Sequence, residues 1–297
     1  MTARSDAFTR RHALAGIGAL TLLSAAKPAF AIDPPAKRVA DVEAKLGGRL
    51  GVYVSDATGR VLIAHRDTER FPMCSTFKFL LAAAALRRAE QGSIKLDQTL
   101  PYGKADLLEY APITTANVGN GGMSVHDLCA AAVTVSDNTA ANLVMRAIGG
   151  PAAVTAFARS IGDHDTQLDR MEPELNSAIP GDPRDTTTPR SIGEDVRRIL
   201  AGEALTPTSL QMLEGWMTSS KTGLKRLRAG LPGGWTVADK TGSGENNTGN
   251  VVALLRPPGK PPMFAAVYVT GAHEGNDAIN AGHAEIGRIV ADIVRLS

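Results

Sequence analysis

Ser75-Thr76-Phe77-Lys78 places a hydroxyl and an amine three residues apart, hence on one face of the first turn of a helix. The run behind it, Phe79-Leu80-Leu81-Ala82-Ala83-Ala84-Ala85-Leu86, is apolar on nearly every side, and such a helix belongs in a core. Burial disfavours the ammonium form of a lysine and makes Lys78 a candidate base, while amides at a helix N-terminus can hold an oxyanion. The chemistry would be acyl transfer by an activated serine. The spacing alone is weak evidence, since Ser24 and Lys27 repeat it. Taken by itself, the motif reads better as a helix cap with a surface lysine.

Further groups follow in order. Ser136-Asp137-Asn138 lies between two helical patterns, where a short loop can project a hydroxyl and an amide into a cleft; alone it reads as a helix cap. Lys240-Thr241-Gly242 closes the strand pattern Trp235-Thr236-Val237-Ala238-Asp239. On an edge strand, a lysine, a hydroxyl and a glycine can hold a substrate carboxylate and let its backbone come close. Lys221-Thr222-Gly223 has the same spelling but falls in a polar stretch behind a helix, so strand context favours the later copy and leaves the earlier one as a turn. Glu172-Pro173-Glu174-Leu175-Asn176 sits in a polar, proline-rich segment from Arg170 to Asp185; a lone glutamate there would ordinarily be solvated surface.

The elements that must position these groups follow from periodicity. Lys37 to Leu46 has helical spacing and stops at Gly47-Gly48; Arg49 to Val54 and Arg60 to His65 alternate as a β-hairpin. Helical spacing then dominates at Phe77 to Ala89, Ser124 to Val135, Thr139 to Ile148, Ala152 to Ile161, Arg190 to Leu200 and Thr208 to Trp216. Ser124 to Asp127 spells a capping box, and Thr188-Pro189 an N-cap followed by an N1 proline. Strand patterns return at Trp235 to Lys240, Asn250 to Leu255 and Met263 to Val269, before a last helix from Asp277 to Val294. Strands at both ends with helices between predict an α/β (α+β) fold. One antiparallel sheet is formed by both termini with flanking helices (32–70 and 217–297), plus an inserted all-helical lobe (71–216). The cleft between two such lobes is a usual place for a small-molecule site.

Residues 1–31 read as an export signal. Arg10 and Arg11 precede an apolar run from Ala13 to Leu23, and Ala29-Phe30-Ala31 gives a small-x-small cleavage site. The paired arginines favour the twin-arginine route, and the destination is the periplasm or the exterior. The run is shorter than the ~20 apolar residues that span a bilayer. The chain carries 32 basic and 30 acidic residues. Removing Arg4, Arg10, Arg11 and Lys27 with Asp6 leaves 28 against 29, which gives no electrostatic case for nucleic acid or an anionic membrane as partner. Cys74 and Cys129 are too few for a disulfide framework and are expected as free, buried thiols. The six histidines are scattered singly without zinc-ligand spacing, so no metal or other cofactor is expected.

In this order the serine, lysine and strand elements resemble the penicillin-recognising serine enzymes. The Glu172 group narrows the resemblance to the class A serine β-lactamases, and it covers essentially the whole chain behind residue 31. It implies a β-lactamase/transpeptidase-like fold and a monomer that hydrolyses the β-lactam amide of penicillins and cephalosporins, conferring resistance. Ser75 would be acylated, with Lys78 or a Glu172-bound water as base. Ser136 would relay a proton to the leaving nitrogen, and the N–H groups of Ser75 and Ser243 would bind the oxyanion. Tyr110, Asn138, Lys240, Thr241, Gly242 and Ser243 would contact substrate. Segment 170–185 corresponds to the family's omega loop, with Glu172 and Asn176 on the hydrolytic water, an Arg170–Asp185 salt bridge at its base and a cis Glu172-Pro173 bond.

Departures from the family pattern bear on specificity. Asn246 to Val252 lacks the carboxylate-binding arginine common in the family, and Arg226 matches the alternative position. Ser243 resembles members active on oxyimino-cephalosporins. Cys74 precedes the nucleophile as in several carbapenem-hydrolysing relatives, but Gly244 replaces its partner, which argues against a disulfide there. A penicillin-binding DD-peptidase or a β-lactam receptor domain would share the serine, lysine and strand elements but lack the Glu172 group.

Overall fold

The computed structural model describes residues 33–296; the expected export signal lies outside them. Helix α1 (Pro35–Leu46) ends where Gly47 adopts φ 69° and returns its N–H to Glu43 O, a left-handed cap that favours glycine. Strands β1 (Arg49–Asp56) and β2 (Val61–His65) form the expected hairpin, followed by the short β3 (Phe71–Pro72) and α2 (Phe77–Glu90). The short β4 (Thr99–Leu100), α3 (Pro112–Asn117), the short β5 (Met123–Ser124), α4 (Val125–Thr134), α5 (Asn138–Ala147) and α6 (Pro151–Ser160) come next. Beyond the Arg170–Asp185 loop lie the short β6 (Thr186–Thr187), α7 (Pro189–Leu200) and α8 (Pro207–Thr218), then β7 (Thr236–Gly244), β8 (Thr248–Arg256), β9 (Met263–Thr270) and α9 (Asn276–Leu296).

Both ends of the described chain meet in one antiparallel sheet of order β2-β1-β9-β8-β7, with Arg49 opposite Thr270 and Asp56 opposite Met263. Its two faces separate by strict alternation. Val251, Ala253, Leu255, Val267 and Val269 join α1 and α9 in one apolar core, while Val252, Leu254, Phe264, Ala266 and Tyr268 join the helices of the other face. β7 has a sheet partner on one side only and carries Lys240-Thr241-Gly242 beyond the point where the sequence pattern stops, because its pairing with β8 continues to Gly244 opposite Thr248.

The sequence grouped α7 with the other helices, yet it packs on the sheet. Ile192, Val196 and Ile199 share a core with Phe264 and Tyr268, and a Cβ at Gly193 would come within 2.6 Å of the Tyr53 ring, so the small residue permits the close approach. Thr188 caps the helix by accepting from Ser191 N. At the centre of the helices, α2 buries every residue from Phe77 to Leu86, as its unbroken apolar surface requires. A Leu81→Ala cavity there would cost about 2–5 kcal/mol. No helix among the described residues is long and apolar enough to cross a membrane.

Candidate active site

Ser75 stands in a short 3-10 turn, Cys74–Thr76, that feeds α2. Cys74 adopts φ 46°, a strained backbone for a residue with a Cβ, and is completely buried. Its neighbours explain why glycine recurs on β7. A Cβ at Gly242 would lie 2.7 Å from Met73 O and 3.1 Å from Ser75 N; one at Gly244 would lie 2.6 Å from Cys74 Sγ. The edge strand thus lies against the backbone of the serine turn, and Gly244 makes room for the thiol. Both cysteines are free and buried, and burial pushes each thiol up to about 12.

Lys78 is fully buried, one turn behind Ser75. Its Nζ donates to Ser136 O at 2.9 Å and Asn138 Oδ1 at 2.5 Å, and pairs with Glu172 Oε1 at 2.9 Å. Burial lowers its pKa, opposed by the Glu172 carboxylate. Lys240 approaches from β7 and donates to Ser136 Oγ at 3.0 Å. Its pKa is driven well below the ordinary lysine value by burial and then by Lys78, because two buried ammonium groups that share one hydroxyl repel each other. Ser136 itself holds φ 64° in the loop between α4 and α5. Asp137 pins that loop, accepting from Ala140 N at 2.8 Å and from Ile113 N and Thr114 N at 2.9 Å, while Asn138 N donates to Tyr110 O at 3.0 Å. The Tyr110 side chain is half exposed.

The Arg170–Asp185 loop brings Glu172 to the same point. Glu172 Oε1 accepts from Ser75 Oγ at 3.3 Å, and Oε2 accepts from Asn176 Nδ2 at 2.5 Å. The Glu172-Pro173 bond is cis. At the loop's base, Arg170 Nε donates to Asp185 Oδ2 at 2.5 Å. Asp185 Oδ1 also accepts from Asp169 N at 2.7 Å and Arg170 N at 2.9 Å, and Asp185 O receives Met73 N at 2.8 Å. One residue therefore fastens the loop to the segment that leads into Ser75.

Three side chains that sequence reasoning passed over complete the site. Asn142 Nδ2 donates to Glu172 O at 2.8 Å, and its Oδ1 accepts Glu172 N at 3.0 Å. The available signal was a polar residue in mid-helix four positions after Asn138, hence on its face. Thr222, in the supposed decoy, hydrogen-bonds Thr241 through their hydroxyls at 2.6 Å, and its neighbour Gly223 packs on the Asp239 carboxylate. The two copies of Lys-Thr-Gly are thus adjacent in space, and the earlier one supports the later. Arg228, the third, pairs with buried Asp239, whose pKa is raised by burial against the pull of that guanidinium.

Arg226 was expected to face substrate, and the structure places it behind β7. Only 6 % exposed, it donates to Gly242 O at 2.7 Å, to Asn250 O, to Ser243 Oγ at 2.6 Å and to Asn280 Oδ1 at 3.3 Å. Burial lowers its pKa to about 10. Ser75, Lys78, Ser136, Asn138, Glu172, Asn176 and Lys240 are joined by direct contacts, with Thr241 to Ser243 following on the same strand. Among the described residues no group of three or more His, Cys, Asp or Glu is arranged to hold a metal ion.

A serine, two buried lysines and a glutamate held by an asparagine thus meet at one point, and comparison with known proteins supplies the family. The family model described as the beta-lactamase enzyme family matches residues 34–294. The chain is 45% identical over 255 residues to Beta-lactamase AST-1 of Nocardia asteroides, covering 86% of this chain and 82% of that protein. The chain belongs to the class A β-lactamases. Among solved structures, an ancestral (GNCA) class A β-lactamase matches with a TM-score of 0.86 at 55% identity, over 88% of this chain and 100% of that one. A putative class A β-lactamase, PenP, from Rhodopseudomonas palustris matches at 0.85 and 50%, over 87% and 99%. This class A β-lactamase is accordingly a hydrolase, and its fold is that of the class A enzymes.

Proposed function

We propose that this β-lactamase opens penicillins and cephalosporins through an ester on Ser75, which water activated by Glu172 then cleaves. The observation that carries the reading is the Glu172 carboxylate, which receives the Ser75 hydroxyl on one oxygen and the Asn176 amide on the other. In the first half, Ser75 Oγ attacks the lactam carbonyl. Of the two candidate bases, Glu172 is the one that Ser75 hydrogen-bonds, while the Lys78 ammonium holds the carboxylate in place. The backbone N–H groups of Ser75 and Ser243 stabilise the oxyanion. As the C–N bond breaks, Ser136 gives its proton to the leaving nitrogen and is resupplied by Lys78 or Lys240, at 3.4 and 3.0 Å from its oxygen.

Lys240 and Thr241 hold the substrate carboxylate, and Arg226 acts on it through Ser243. Once Lys78 has resupplied Ser136, Glu172 passes the Ser75 proton to Lys78 across their 2.9 Å contact and is again a carboxylate. In the second half it takes a proton from water held between it and Asn176, the water attacks the ester carbonyl, and the departing Ser75 oxygen takes that proton back from Glu172. Asn176 Oδ1 is buried without a hydrogen-bond partner among the described residues and supplies an acceptor for that water. Export by the segment before residue 32, and resistance to β-lactams as the outcome, belong to the same proposal, motivated by Arg10-Arg11 and Ala29-Phe30-Ala31.

A chromogenic cephalosporin tests the proposal. The protein should turn it over repeatedly, and Ser75→Ala should lose about 10³-fold or more of the rate. A single stoichiometric burst from the unaltered protein would instead mark a receptor or a peptidase.

A further inference from the structure

Asn250 is completely buried on β8, on the face that carries Val252 and Leu254, since side chains alternate along a strand. Asparagine is a poor strand former, and a buried amide is costly unless fully paired. This one is paired throughout. Its Nδ2 donates to Pro72 O at 2.8 Å and to Met73 O at 3.2 Å, and its Oδ1 accepts from Val269 N at 3.2 Å. Both amide hydrogens therefore go to consecutive carbonyls of the segment that leads into Ser75. Through its backbone the same residue is paired with Gly242, the neighbour of Ser243. Its carbonyl accepts from Arg226 Nη1, which also donates to Gly242 O at 2.7 Å.

We propose that Asn250 is a positioning residue of the oxyanion hole, setting the spacing between the N–H groups of Ser75 and Ser243, an assignment that rests on the Ser75 ester proposed above. The two N–H groups come from different parts of the fold, one from the serine turn and one from β7. Gly242 lies against the turn, where a Cβ would come within 2.7 Å of Met73 O and 3.1 Å of Ser75 N. Such contact limits how closely the strand approaches but does not stop it from drawing away; directional hydrogen bonds do. Two other ties hold the turn. Asp185 O accepts from Met73 N at 2.8 Å, and the Tyr268 hydroxyl meets Thr76 Oγ1 at 2.7 Å. Of the three residues, only Asn250 is also paired with β7. Each donor of an oxyanion hole must lie about 2.7–3.1 Å from the developing charge, and a misplacement of about 1 Å can cost about 10²-fold in rate.

Infrared spectra of the acyl-enzyme test this role. In Glu172→Ala, the ester formed with a β-lactam isotope-labelled at its lactam carbonyl should absorb at lower frequency than the same adduct in denaturant, because two N–H groups polarise it. In Glu172→Ala/Asn250→Ala the band should move toward the denatured value or split. With Glu172 restored, Asn250→Ala should turn over a chromogenic cephalosporin about 10²-fold more slowly. Ile289→Ala, in the core on the other face of the sheet, should lower stability and leave the band in place. Should Asn250→Ala fail to fold, Asn250→Thr suits a strand and offers one hydrogen in place of two, and it should move the band in the same direction. An adduct whose band stays put in a folded Asn250 variant, or moves equally in Ile289→Ala, would overturn the positioning role alone. Absence of any adduct in Glu172→Ala would overturn the ester on Ser75, and the role with it.

Discussion

Ser75 Oγ donates to Glu172 Oε1 at 3.3 Å, although the two residues are 97 positions apart and only the Arg170–Asp185 loop carries the glutamate to the serine. The Glu172 backbone is held by Asn142 through both N–H and C=O, so the carboxylate's position depends on a helix outside the loop. Replacing Asn142 with Leu leaves two buried backbone groups unpaired, which costs on the order of 2 kcal/mol or more. Turnover should fall more than stability explains, and hydrogen exchange at Glu172 should quicken. Full turnover by a folded Asn142→Leu protein would remove Asn142 from the positioning of Glu172.

Arg226 should act through Ser243. In Arg226→Ala, Ser243 Oγ and the carbonyls of Gly242 and Asn250 lose a donor, so stability should fall by about 1–3 kcal/mol. Because the guanidinium is behind the strand, Ser243→Ala should reproduce most of the loss in kcat/KM, and the double variant should be non-additive in kinetics. Additive effects would place Arg226 in direct contact with substrate.

The depressed pKa of Lys240 sets the alkaline side of the pH profile. Its ammonium form, the one proposed to bind the substrate carboxylate, is populated at low pH and is lost as pH rises through a value well below the ordinary 10.5. Therefore kcat/KM should fall with rising pH earlier than a free lysine would dictate, and Lys240→Arg should move that limb upward, whatever its peak activity. Coincident alkaline limbs in the two proteins would assign the titration elsewhere.

The clamp between Arg170 and Asp185 should govern substrate size. Arg170→Ser removes one charge-assisted bond from buried Asp185, at a cost of about 1–3 kcal/mol. Turnover of a small penicillin should drop while that of a bulky cephalosporin is spared or gains, and amide exchange within 171–184 should accelerate. Equal activities on both substrates with unaltered exchange would contradict the clamp.

Periodicity and turn chemistry made most elements legible, because alternation and helical spacing report directly which faces are buried. Both halves of the terminal sheet and the buried α2 were readable in this way. The residues that meet at Ser75 were readable as separate motifs. What escaped depended on tertiary approach. Thr222 read as a turn because nothing local shows that its strand-borne copy, Thr241, lies 2.6 Å away. Asn142 looked like an ordinary helix residue until Glu172 supplied its partners. Arg226 could be assigned to the strand's vicinity, but whether its guanidinium lies in front of Ser243 or behind it is decided by Gly242 O and Asn250 O, which sequence spacing does not place. α7 carries the same periodicity whether it packs on helices or on a sheet, and Gly193 against Tyr53 settles which.

Intact mass spectrometry of Glu172→Ala during reaction with a β-lactam tests the division of labour between Ser75 and Glu172 most directly. The variant should accumulate an adduct of one opened β-lactam per chain, absent in Ser75→Ala, while steady-state turnover falls by about 10² to 10⁴. The adduct can form slowly, since Glu172 is also the proposed acceptor of the Ser75 proton, but once formed it should persist. Rapid turnover by Glu172→Ala with no adduct would contradict the assignment of the ester-cleaving water to Glu172.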